Sequence, residues 1–323
     1  FLSSPTEEKL PIPDCRTIGD TPINRTSPNL LESVQVMQRR QTWMRDFLIE
    51  EGQGPLKFVG SVKRPGTIEA VSSQIRSTLG LSKNWARKHP SWTAALDALR
   101  RAAEDAGILV AVNGIVGNNT HRKLDPQEFR GFVLSDEYAP LVFINNADFK
   151  SAQMFTMAHE LAHLWIGRGG LFNLISMMPA NDKIERFCNR VAAEFLIPGK
   201  DLKNCWADVE DSTDRFRRLA RSFKVSPLVA ARRALDLKLI SRDAFFVFYN
   251  RYREEEHGLT AAKKRGGNFY HNQNVRLGRR FASAVVRAAR EGRLLYRDAY
   301  QLTGLNGKTF DCYAEILMGR VSE

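Results

Sequence analysis

Cysteine is scarce in this 323-residue sequence: Cys15, Cys188, Cys205 and Cys312 stand far apart, and no two form a C-x-x-C pair. That spacing argues against a disulfide framework and against a cysteine zinc knuckle, and it fits a reducing cytoplasm. No apolar run reaches the length of a membrane span, and no charged-then-apolar leader is visible, so the sequence predicts no membrane association. Acidic charge is in deficit, with 36 Asp and Glu against 48 Lys and Arg, a formal net charge of +12. Most of the imbalance lies beyond residue 200, where 24 basic residues face 15 acidic ones. A basic final third is compatible with a DNA contact or an acidic protein partner, although solvated surface charge has the same composition. Histidine is nearly as rare as cysteine, at six residues, yet two of the six fall four positions apart.

Those two belong to His159-Glu160-Leu161-Ala162-His163. In a helix, positions i and i+4 lie one above the other on one face, so both imidazoles can aim at one point, with Glu160 beside them. Two neutral imidazoles and a carboxylate from elsewhere suit Zn²⁺ and leave a position for water, the arrangement of zincin hydrolases. The flanks predict the helix: Asp148 as a cap, Ala152, Phe155, Ala162 and Ile166 as an apolar face, and Gly167 as a stop. Two satisfied polar histidines on a half-buried helix would show the same spacing. A second predicted helix, Lys183–Leu196, ends at Pro198 and offers either Glu185 or Glu194 as a third ligand.

Upstream, residues 1–29 are rich in Pro, Ser, Thr and Asp and read as an extended arm. The chain begins at Phe1 without Met, which suggests a piece of a longer protein with an upstream domain. Apolar periodicity predicts helices from Ser27 to about Glu51, over about Gly66–Leu79 and over about Ser91–Ala106. Ile108–Val112, Arg130–Leu134 and Leu141–Asn145 are short apolar runs between turn residues, and they predict strands of a small sheet. Gly131-Phe132-Val133-Leu134 is the expected edge, to which an extended peptide could add as a further strand, unless the protein covers that edge itself.

The chain resembles the ImmA/IrrE family of metallo-endopeptidases. The resemblance is carried by Phe155-Thr156-Met157-Ala158-His159-Glu160-Leu161-Ala162-His163-Leu164 and by Glu185-Arg186-Phe187-Cys188-Asn189-Arg190-Val191-Ala192-Ala193-Glu194-Phe195-Leu196-Ile197-Pro198. Ile12-Pro13-Asp14, Glu128-Phe129-Arg130-Gly131-Phe132, Phe143-Ile144-Asn145 and Gly304-Leu305-Asn306-Gly307-Lys308-Thr309-Phe310 extend it along nearly the whole chain. It implies Zn²⁺ as cofactor, His159, His163 and Glu185 (rather than Glu194) as metal ligands, and Glu160 as the catalytic residue. It also implies cleavage of a partner protein, a helix-turn-helix transcriptional repressor, in a stress, mobile-element or defence switch. Similar proteins carry an aromatic residue where Cys15 stands; a thiolate there could block the water site, the ordinary alternative being an inert thiol.

The expected fold class is α+β: a zincin-like peptidase with a small sheet packed on the His159–His163 helix, plus a mostly helical C-terminal region. The expected division is an arm at 1–29, a metallopeptidase domain at 30–205 and a helical, basic domain at 206–323. Within the last, Phe216–Ile240 follows the pattern helix, tight turn, helix, which suits a packed extension better than a DNA-reading unit. Lys263-Lys264-Arg265-Gly266-Gly267 reads as a basic loop before a predicted helix over Arg276–Glu291, whose Arg279, Arg280, Arg287 and Arg290 would face solvent or phosphate. The alternative to a peptidase is a non-catalytic, antitoxin-like or DNA-binding regulator with a structural or vestigial zinc site.

Overall fold

The computed structural model describes residues 27–62, 66–167, 170–172, 183–259 and 269–319. The arm before Ser27, with Cys15, the loop at 173–182 and the basic loop at 263–267 lie outside the described residues, as do the side chains of Tyr270 and His271.

Four strands form the central sheet: β1 (Leu109–Asn113), β4 (Gly131–Leu134), β5 (Leu141–Asn145) and β6 (Gly170–Phe172). Their order is β1-β5-β4-β6, with β1 parallel to β5 and the other pairs antiparallel. A separate hairpin, β2 (Ile115–Val116) and β3 (Asn119–Lys123), follows β1 directly. The central strands are apolar without a polar alternation because both faces of the sheet are buried. Val110, Val112, Val133, Val142 and Ile144 point into one core, while Leu109, Ala111, Phe132, Leu134, Leu141 and Phe143 point into another.

The first core is closed by α2 (Ile68–Thr78), α3 (Trp92–Asp105), α4 (Lys150–Ile166) and α5 (Lys183–Leu196), and further out by α6 (Gly199–Trp206), α7 (Arg215–Phe223), α8 (Pro227–Asp236) and α9 (Arg242–Leu259). The second core brings together the two ends of the described chain. Here α1 (Pro28–Glu50) meets α10 (Phe269–Leu277), α11 (Arg279–Arg290), α12 (Tyr296–Thr303) and α13 (Lys308–Leu317) over a cluster in which Phe132 stacks on Phe143 at 4.8 Å. The result is an α+β fold with a small mixed sheet between two helical layers, consistent with the zincin-like peptidase and helical region expected from the sequence.

Local chemistry explains the boundaries. Ser27 accepts a hydrogen bond from the Leu30 N–H while Pro28 fills the first turn of α1, and Thr67, Ser91 and Ser226 cap α2, α3 and α8 in the same way. The helix predicted over Arg276–Glu291 is divided. Gly278 (φ +77°) separates α10 from α11, and a Cβ there would stand 2.6 Å from the Val110 carbonyl oxygen, so only glycine lets the junction press on β1. Three of the four arginines expected to face solvent or phosphate from α11 have acidic neighbours, and Arg279 stays exposed. Arg287 pairs with Glu51 at 2.7 Å, Arg290 pairs with Glu315, and the half-buried Arg280 lies near Glu104. These carboxylates come from α3, α13 and the end of α1, which no local periodicity reveals.

Candidate active site

Helix α4 is buried on every side from Gln153 to Trp165. Its start differs from the sequence expectation: Phe149 occupies the cap position, and Asp148 lies one residue earlier, where it pairs with Arg130 at 2.8 Å and accepts the Phe149 N–H. Its end is as expected, with Gly167 in the left-handed region at φ +76°. An antecedent segment supports that end. The Gly60 N–H donates to the Leu164 carbonyl and the Val62 N–H to the Trp165 carbonyl, both at 2.9 Å, and Phe58 stacks on Trp165 at 4.6 Å. Four backbone carbonyls at a helix end need partners, and this strap supplies two of the donors.

Four residues apart on α4, His159 and His163 bring their Nε2 atoms to 2.9 Å of each other. From the first turn of α5, Glu185 reaches both: Oε2 lies 3.2 Å from His159 Nε2 and Oε1 lies 3.1 Å from His163 Nε2. Asn189, one turn further along α5, also hydrogen-bonds His159. Glu194 is not part of this group. It forms a buried ion pair with Arg233 of α8 and accepts the Gly199 N–H, while Arg76 of α2 caps the carbonyls of residues 194 and 195. Of the two glutamates that the spacing left open, the fold brings Glu185 to the histidines and uses Glu194 to anchor the far end of α5.

Burial lowers the His159 pKa to about 4 despite the nearby Glu185 carboxylate, so the ring is neutral. Burial also pushes Glu185 up, but hydrogen bonds from both imidazoles outweigh it and hold the carboxylate below its usual range. Neutral imidazole and ionised carboxylate are the protonation states that metal binding requires. Glu160 is fully buried, and neither of its carboxylate oxygens has a hydrogen-bond partner among the described residues. Burial, with the charge of Glu185 adding to it, raises its pKa well above the ordinary carboxylate range. A buried carboxylate with no partner is costly, and so the group implies a polar occupant.

The donor set fits a metal. One ligand atom from each of the three residues lies within 4.8 Å of the others, and the nearest approaches, 2.9 Å between the imidazoles and 3.1 and 3.2 Å to the two separate oxygens of Glu185, are close to the spacing of about 3.3 Å that tetrahedral bonds of about 2.0–2.1 Å would impose. Two nitrogens and one oxygen are a borderline donor set suited to a first-row dication.

Strand β4 runs alongside. Gly131 presses on α4 so closely that a Cβ would meet Thr156 Cγ2 at 2.7 Å and would lie 3.5 Å from Glu160 Oε1. The edge of β4 is not open, contrary to one of the two sequence expectations. Strand β6 pairs with it in the register Gly131↔Phe172, Phe132↔Leu171 and Val133↔Gly170. A three-residue strand that opens on a glycine carries too little pattern to be read from sequence.

This fold and side-chain group define an α+β domain with a candidate metal centre. Residues 103–235 match the family model of the IrrE N-terminal-like domain, which contains α4, α5 and the whole central sheet, and residues 277–316 match a model described as a domain of unknown function. No curated protein matches the chain. The match supports an ImmA/IrrE-type metallopeptidase domain over residues 103–235, and a metallopeptidase domain of this kind implies a bound metal and a protein substrate. No helix among the described residues is long and apolar enough to cross a membrane.

Proposed function

We propose that the chain is a cytoplasmic zinc endopeptidase that cleaves a partner protein, a helix-turn-helix repressor, as the switch in a stress or mobile-element response. One observation carries this reading: His159, His163 and Glu185 converge next to a buried Glu160 that lacks a partner among the described residues. In this assignment the first three hold Zn²⁺. When bound, zinc supplies a lowered pKa for water and polarisation of the scissile carbonyl. Glu160 takes the proton of the attacking water on its carboxylate and returns it to the leaving amine, a role suited to a raised pKa. Asn189 orients the His159 ring, and burial of α4 excludes competing water. The chemistry is assigned to residues 30–205. Residues 206–323 are assigned to recognition, with a DNA contact supported by their excess of basic residues.

Glu160→Gln is the decisive variant. It retains zinc in elemental analysis, because it removes no ligand, and it loses cleavage of the co-encoded repressor by the two to four orders of magnitude typical of general-base removal, about 10²–10⁴-fold. Cleavage at the wild-type rate would refute the mechanism. If chelation altered partner binding while the wild-type, zinc-loaded protein cut nothing, the non-catalytic regulator would be the correct reading.

A further inference from the structure

Strand β6 lies in the connection between the helix that carries both histidines and the helix that carries Glu185. It is the outermost strand of the sheet, and it covers the edge of β4 opposite β5. That edge adjoins the candidate chemistry. Gly131, on which a Cβ would stand 3.5 Å from Glu160 Oε1, pairs with Ile144 of β5 on one side and with Phe172 of β6 on the other.

The position has a consequence for a peptide substrate. A general base must come within hydrogen-bond reach of the water it activates, and the attacked carbonyl must lie within about 3–3.5 Å of that water. A peptide added beyond β6 would run roughly 9.5 Å from β4, two strand spacings away. A peptide in the place of β6 would run one spacing, about 4.8 Å, from Gly131. The place that brings an extended backbone nearest to Glu160 is the one that β6 holds.

Its hold is slight. Strand β6 pairs three residues with β4, against four between β4 and β5 and five between β1 and β5. It opens on Gly170, and glycine loses more freedom on ordering than any other residue. No further strand flanks β6 among the described residues. Short pairings at a sheet edge open at far lower free energy than the strands inside. A competing peptide would exchange one set of backbone hydrogen bonds for an equal one, so β6 prevails because it is tethered, at an effective concentration of about a millimolar. Gly170-Leu171-Phe172 carries no charge, and the stretch that replaces it would be of the same chemistry.

We propose that β6 is an internal stand-in for substrate: it occupies the peptide site along β4, and cleavage requires an extended, uncharged, apolar segment of the partner protein to displace it and pair with Gly131–Leu134. The consequence for cleavage rests on the peptidase assignment, but the exchange of strands can be observed without cleavage.

The test uses the full chain carrying Glu160→Gln and a fluorescein-labelled peptide with the sequence of residues 168–175. Successive residues of a strand turn their backbone groups to opposite neighbours, so one of Leu171→Pro and Phe172→Pro removes an N–H from the ladder with β4. Fluorescence anisotropy should show that variant binding the peptide about tenfold more tightly or better, because the competent fraction rises. A control peptide with Asp in place of its Leu-Phe pair should bind no variant. With Glu160 intact and zinc loaded, the same proline should raise hydrolysis of fluorescein-labelled casein by a similar factor. Tighter peptide binding without any hydrolysis would keep the strand exchange and end the peptidase assignment. Hydrogen exchange on the unmodified chain serves where a proline variant fails to fold: the β6 amide that faces β4 should exchange about a hundredfold faster than the amides of β5, or more. Exchange at the β5 rate, or peptide affinity unchanged by either proline, would make β6 a fixed part of the sheet and overturn the proposal.

Discussion

The close approach of Gly60 and Gly167 makes the support of α4 testable by two substitutions that look alike and should behave differently. Both glycines have left-handed backbones, φ +65° and +76°, so alanine at either costs about 1–2 kcal/mol in backbone strain. An added Cβ at Gly60 would find only the Gly167 Cα at 3.6 Å, an ordinary contact. At Gly167 the Cβ would meet the Gly60 Cα at 2.8 Å, and because both partners are backbone neither can rotate away. Overpacking adds about 1–3 kcal/mol there. Gly167→Ala therefore costs about 2–5 kcal/mol in all and Gly60→Ala about 1–2 kcal/mol. At about 2 °C per kcal/mol for a chain of this size, calorimetry should show Tm falling by about 4–10 °C for the first and about 2–4 °C for the second. The Gly167 N–H bonds the His163 carbonyl, so the larger shift should come with weaker retention of zinc in chelator competition. Equal shifts for the two variants would refute the argument that contact, beyond backbone conformation, sets the cost.

Other consequences are more briefly put. Arg233→Met leaves the Glu194 carboxylate buried without its cation and should destabilise by about 3–5 kcal/mol, whereas Glu194→Gln/Arg233→Met should recover much of that loss in a double-mutant cycle by chemical denaturation. Burial holds the pKa of Glu104 above its ordinary value, against hydrogen bonds from the α11 backbone. The folded chain thus binds more protons at this group than the unfolded one, so its contribution makes stability fall as pH rises from the unfolded value through the folded one. Glu104→Gln should flatten that slope in melts taken across the window; a slope identical to wild type would show that other groups set it. Gly131→Ala forces a Cβ into Thr156 and the Phe143 carbonyl and should lower both Tm and peptidase activity, and a silent substitution would mean that β4 does not position α4.

Much of the first core could be read directly from the sequence. Ser27 and Ser91 mark helix starts because their side chains act within one turn, and β1, β4 and β5 are visible as unbroken apolar runs. The juxtaposition of His159, His163 and Glu160 also follows from local helix geometry. The choice between Glu185 and Glu194 does not, because it depends on how α5 crosses α4; the family resemblance favoured Glu185, and the tertiary packing brings it to the histidines. What stayed hidden is long-range. The strap at 56–62 carries no periodicity, β6 is three residues long, and the pairing of Arg287 with Glu51 joins residues from opposite ends of the chain. Gly278 falls inside the helix expected over Arg276–Glu291, and only the approach of the Val110 carbonyl makes it a break between helices.

The layering of the sheet bears on how this protein can be dissected. Its aromatic side, with Phe132 and Phe143, is roofed by segments that flank the IrrE N-terminal-like domain in sequence: α1 ahead of it and α10 to α13 behind. An excised piece cut to the limits of sequence similarity would therefore carry every residue of the metal group and yet present a bare, ring-studded sheet to water. Such a fragment should clump before it could be assayed, so the smallest piece worth expressing is set by which helices roof the strands.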